Sequence, residues 1–183
     1  MESQSLMAKT KQNGFSLIEL LIVVAIILII AAIAIPSLIR GKIAANQSSA
    51  AASLRTINSS AVAYSTEYED GYPPSLSQLG PPPGIADCNA AGLVDGVLAT
   101  GTKSGYAFTW HVGASQVPAA SVPTGCPAGY SDMYSVTADP FGFPTGTIHY
   151  CVDASGVIRQ GTLAVATTPA SGCDPAALPI GNQ

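Results

Sequence analysis

GFSLIELLIVVAIILIIAAIAIP, Gly14 to Pro36, is the stretch from which the rest of the chain is read. From Leu17 to Ile35 it is apolar except for one acid, Glu19. About 20 such residues are what a helix needs to cross a bilayer core. A carboxylate in such a segment is costly unless it has a partner, so Glu19 calls for one. The polar stretch before it, Met1 to Gly14, reads as a leader rather than as structure. Its lysines, Lys9 and Lys11, belong on the cytoplasmic side of a membrane.

An ordinary secretory signal is the first rival, and Ala32-Ile33-Ala34 mimics its cleavage site. Three features oppose it. The apolar run exceeds the usual core of about 7–15 residues. Glu19 sits near its start. The helical pattern also continues past the supposed cut: Ala50, Leu54, Ile57, Ala61, Tyr64 and Tyr68 recur at steps of four and three, giving one apolar stripe. A single helix from Phe15 to about Tyr68 would be on the order of 80 Å long. Pro36 should bend or loosen it, because it lacks an N–H and crowds the preceding turn. Gly41 adds a second soft point.

The helix is expected to stop near Glu69-Asp70-Gly71, before Tyr72-Pro73-Pro74. Beyond it, Ser75 to Leu79 suggests a short helical turn and Gly80-Pro81-Pro82-Pro83-Gly84 a break. Asp87 to Gly101 reads as a linking loop with a short helix. Four strands are expected, at Tyr106–Val112, Met133–Ala138, Thr147–Val152 and Val157–Arg159, with a tight turn at Asp153–Gly156 between the last two. The Gly/Pro-rich tail from Thr167 to Gln183 is expected to be pinned only by Cys173. No internal repeat is visible.

The 183 residues suggest one domain of ordinary size plus an appendage. The net charge is −4 and no basic cluster follows Arg55, which argues against a nucleic-acid face. Cys88, Cys126, Cys151 and Cys173 form no CxxC pair and fit no zinc template. An even number of cysteines beyond an export segment reads as disulfides in an oxidising compartment. Three pairings are open; Cys88–Cys126 with Cys151–Cys173 closes the shorter loops.

Lys11-x-x-Gly14 followed by Phe15-Ser16-Leu17-Ile18-Glu19, with Pro36 further on, resembles the N-terminus of type IV pilins and of type II secretion pseudopilins. The motif covers about the first third of the chain. Glu67 to Leu79, and Tyr134 to Arg159 with its Val-Asp-x-x-Gly-Val-Ile-Arg ending, look more loosely like pilin head segments. The resemblance implies an α+β fold: a long N-terminal helix, membrane-embedded in its first half, packed on a small antiparallel sheet of about four strands. It divides the chain into a leader (1–14), a transmembrane and filament-core helix (15–38), the amphipathic half of that helix (39–68) and a globular, disulfide-bearing head (69–183).

It further implies cleavage between Gly14 and Phe15 by a prepilin peptidase, with methylation of the new Phe15 amine. The subunit would wait as a single-pass protein in the bacterial inner membrane. Pilus or secretion assembly machinery, driven by a separate cytoplasmic ATPase, would then polymerise it with copies of itself into a cell-surface filament. Phe15 and Glu19 would be the assembly residues, the amine of one subunit meeting the acid of another. No cofactor, metal or enzymatic activity is implied. The alternatives are a type II secretion pseudopilin and a membrane-anchored binding domain that never polymerises.

Other constellations are weaker. His111 and His149 could meet across strands as a metal pair, but no third ligand is evident. Asp132, Asp139 and Asp153 lie near turns without a calcium-loop spacing. No nucleophile-elbow pattern supports a hydrolase.

Overall fold

The computed structural model describes residues 14–69, 71–114, 118, 122, 124–165, 167, 168 and 172–181. Met1 to Asn13, which hold most of the leader, lie outside the described residues. The chain divides into two compact units, Met1–Ile39 and Arg40–Gln183. One helix, α1 (Leu17–Tyr68), supplies residues to both, with Pro36 inside it.

In the second unit, the stripe of α1 is the floor of the core. Leu54, Ile57, Ala61 and Tyr64 are fully buried and Ala50 nearly so, while Tyr68 is half-buried. The alternation of steps of four and three keeps these side chains on one face of the helix, which is why they share one cluster. Glu69 ends the helix with a positive φ of 56°, and Gly71 follows at 98°. Leu76–Leu79 forms a 3-10 turn, and α2 (Gly96–Ala99) is capped by Asp95, whose side chain accepts from the Leu98 N–H at 2.9 Å.

Against the helix lies an antiparallel six-stranded sheet in the order β1-β2-β3-β4-β5-β8. Its strands are β1 (Thr102–Lys103), β2 (Tyr106–Val112), β3 (Tyr134–Pro140), β4 (His149–Asp153), β5 (Arg159–Gly161) and β8 (Leu178–Pro179). A separate pair, β6 (Thr167–Thr168) and β7 (Gly172–Cys173), completes the set. The fold is α+β. Side chains alternate between sheet faces. Tyr106, Phe108, Tyr134, Val136, Ala138, Tyr150 and Val152 join the helix stripe in the main core. Cys151, facing the other way, forms a small second cluster with Val165 and Cys173.

Several expectations need correction. The sheet has six strands rather than about four, because two-residue strands at its edges, β1 and β8, carry no readable alternation. The third strand starts at His149 rather than Thr147. Thr147 Oγ1 instead accepts from Gln47 Nε2 at 3.1 Å, and the Ile148 carbonyl accepts from the Tyr106 hydroxyl at 2.9 Å. The fourth strand starts at Arg159 rather than Val157. A turn at Asp153–Gly156 does form, with the Gly156 N–H donating to the Asp153 carbonyl at 2.9 Å, but the hairpin loop runs on through Ile158. The tail is held by more than Cys173: Leu178 and Pro179 pair with Gln160 and Arg159, and the Ile180 N–H donates to the Ile158 carbonyl at 2.9 Å.

Candidate processing and assembly site

In the first unit, Gly14, Phe15 and Ser16 precede the helix and are exposed. Phe15 is 89% exposed. A Cβ added to Gly14 would meet nothing within 4 Å, so the packing of the folded chain does not require glycine there. Ser16 begins the helix: its carbonyl accepts from the Leu20 N–H at 3.2 Å, and its own N–H donates to Glu19 Oε2 at 2.9 Å. This is one arm of a capping box, in which the residue at the third helical position reaches back to the N-cap amide. The negative carboxylate also suits the positive end of the helix dipole. The Ser-x-x-Glu spacing carries this signal in the sequence; the carboxylate near a helix N-terminus is expected there for its charge, and the cap on Ser16 is what the structure adds.

From Leu17 to Leu38 the apolar side chains are exposed around the helix rather than along one stripe, apart from a half-buried Ala31. Among the described residues this is the one helix long and apolar enough to cross a membrane. A helix apolar all round is stable only when lipid or protein surrounds it. Pro36 removes one N–H from the ladder without ending the helix, which continues to Tyr68.

The remaining candidates lie in the second unit. Cys88 is bonded to Cys126 and Cys151 to Cys173, with Cα separations of 5.5 and 5.9 Å. The first bond ties the loop after the 3-10 turn to the β2–β3 connection, where Asn89 Nδ2 also donates to the Gly125 carbonyl at 3.0 Å. The second bond staples β4 to β7 on the sheet face turned away from the helix.

His111 and His149 do not meet, because β3 separates their strands. His111 Nε2 lies 3.4 Å from Thr137 Oγ1, and His149 Nδ1 lies 2.6 Å from Asp139 Oδ1. Asp153 is occupied locally, accepting from the Ser155 N–H at 2.9 Å and the Cys173 N–H at 3.1 Å. Among the described residues no three His, Cys, Asp or Glu side chains converge as a metal site. A cavity of about 480 Å³ opens beside β5 and β8. Among the described residues its walls, which include Ile148, Leu163, Val165, Asp174 and Leu178, carry no histidine, cysteine, serine or lysine.

Residues 9–35 match the prokaryotic N-terminal methylation motif, the prepilin-type motif of type IV pilins and pseudopilins. Proteins with this motif are prepilin substrates with structural rather than enzymatic roles. No curated protein and no solved structure matches the chain.

Proposed function

We propose that this chain is the structural subunit of a type IV pilus-like filament, and not an enzyme. One coincidence carries the reading: the prepilin-type motif at residues 9–35 includes Leu17 to Ile35, the part of α1 whose apolar side chains are exposed on all sides. Such a helix needs lipid around it before assembly and other copies of itself afterwards, so one surface serves both environments with little change in burial.

In this reading a prepilin peptidase cuts after Gly14. The freedom of that position from packing demands supports the idea that glycine serves the peptidase rather than the fold. Phe15 becomes the methylated N-terminus. Its positive amine is the partner for Glu19 of a neighbouring copy, a buried pair whose worth lies in setting register more than in net stability. The subunit rests in the inner membrane and then moves to the cell surface, where the two disulfides suit an oxidising exterior.

The test is to shear surface filaments from the producing cells and identify their subunit by peptide mass mapping. The chain should be a principal component of the sheared fraction. Retention in the membrane fraction, with filaments built of other chains, would overturn the proposal.

A further inference from the structure

The β3–β4 loop displays two phenylalanines that the filament reading does not use, Phe141 at 66% and Phe143 at 77% exposure. A phenylalanine side chain presents roughly 150–250 Å², so the two leave an apolar knob of roughly 300 Å² in water. A patch of that size on a soluble domain marks an interaction site.

The knob is held towards one side of the sheet. The Phe141 N–H donates to the carbonyl of Gly105, in the β1–β2 turn, at 3.0 Å. Thr145 returns to the same turn, since a Cβ added to Gly105 would lie 2.8 Å from the Thr145 Cβ. Asn46 Nδ2 donates to the Thr145 carbonyl at 2.8 Å, and the Thr145 N–H to the Gly142 carbonyl at 2.7 Å. The loop is fastened before any partner arrives, which lowers the ordering cost of binding.

A hollow lies at the other side. The cavity of about 480 Å³ beside β5 and β8 has Ile148, Leu163, Val165 and Leu178 among its walls. Leu163 is 81% and Leu178 57% exposed. About 150 Å³ accommodates one benzene ring, so the cavity has room for two. The charged residue on its wall, Asp174, accepts from the Ala176 N–H at 2.8 Å. Phe141 to Ile148 contain no ionisable side chain. Closing the hollow over the knob therefore traps no bare charge without a hydrogen bond. The hollow is braced as well: Arg159 Nη1 donates to the Pro175 and Ala177 carbonyls at 3.2 and 3.1 Å.

The two features lie too far apart to meet within one copy. The knob is tied to the β1–β2 turn, and β2 and β5 are three strand spacings apart, about 14 Å. A knob and a hollow on different parts of one surface join copies head to tail, and such contacts propagate rather than close on themselves. Burying the knob and its seat removes on the order of 600 Å² in total, against about 1,200 Å² for a stable free-standing interface. The contact is thus too small to pair free copies, and forms where something else raises their local concentration.

We propose that Phe141 and Phe143 of one copy seat in the β5–β8 cavity of the next, a head-to-tail contact between second units. It rests on the filament reading, and needs from the apolar helix only that it holds copies close together.

Sheared filaments of the full chain give the test. Phe143→Cys with Leu163→Cys, both at exposed positions, places one new thiol on the knob and one on the rim of the hollow. Oxidation with copper phenanthroline should give a non-reducing gel ladder of dimers, trimers and higher species. Each single variant should stay monomeric. If the double variant does not assemble, co-expression of the two single variants should give a mixed dimer instead. Phe143→Ser should lower the yield of sheared filaments several-fold and leave the unfolding midpoint of the chain in detergent unchanged.

Filaments that form normally with no cross-link would overturn the proposal alone. So would a bond formed within one copy, or dimers without a ladder from the double variant, which would mark a closed two-fold contact. Cells whose sheared filaments lack the wild-type chain would remove the filament reading, and this proposal with it.

Discussion

The backbone N–H of Ser16 donates to Glu19 Oε2 at 2.9 Å, so the one acid of the apolar helix is already engaged within its own chain. Cleavage after Gly14 would create a positive amine at Phe15, one residue before Ser16. Glu19 then has two roles that separate chemically: a cap, which needs only an acceptor oxygen, and a charge partner, which needs the anion.

Glu19→Gln tests that separation. The amide oxygen can still accept from Ser16, so helix content by circular dichroism in detergent should be unchanged. Sheared-filament yield should nonetheless fall by about tenfold or more, since 1.4 kcal/mol per contact is already a factor of ten. Glu19→Ala should lose the yield and also about 0.3–1 kcal/mol of helix-terminus stabilisation. Normal filaments from Glu19→Gln would show that the charge is dispensable.

Gly172 is fixed by its surroundings. Its φ is +76°, and a Cβ there would lie 2.7 Å from Asp153 Oδ2, the oxygen that accepts from Cys173. Gly172→Ala should destabilise the sheet domain by about 1–3 kcal/mol through backbone strain and the lost anchor. Thermal unfolding of the variant beside wild type measures it.

The disulfides close loops of 38 and 22 residues. Loop-closure entropy assigns about 4 kcal/mol to the longer and about 3 kcal/mol to the shorter. Cys88→Ser with Cys126→Ser should therefore lower the unfolding midpoint more than Cys151→Ser with Cys173→Ser. The order would reverse if the staple behind the sheet matters more than chain entropy.

Buried tyrosines set an alkaline limit. Burial pushes the Tyr106 hydroxyl up to about 12, and raises Tyr134 further, with Tyr72 and Asp153 adding to the effect. Because the folded values lie above the unfolded value near 10, the stabilisation is complete below pH 10 and is lost as pH climbs through the folded values. Unfolding and the tyrosinate absorbance rise at 295 nm should coincide above about pH 12. Two phenolates titrating smoothly near pH 10 in the folded state would contradict the burial.

The helix and its buried stripe were legible because period and burial coincide over many turns, from Ala50 to Tyr64. β2 was legible for the same reason, with Tyr106, Phe108 and Trp110 alternating. β1 and β8 were not, since two residues hold no period and their place comes from partners across the sheet. The docking of Asn46 and Gln47 on Thr145 and Thr147 joins residues about a hundred positions apart, and no local pattern announces it. At the N-terminus the charge of Glu19 stands out against the apolar run, while its cap on Ser16 is a contact to a backbone N–H, which no hydrophobic period marks.

The most direct measurement is the intact mass and N-terminal sequence of the protein recovered from membranes and from sheared filaments. The account predicts a chain beginning at Phe15 with one added methyl group in both fractions. Met1 retained, or a cut after Ala34, would contradict it.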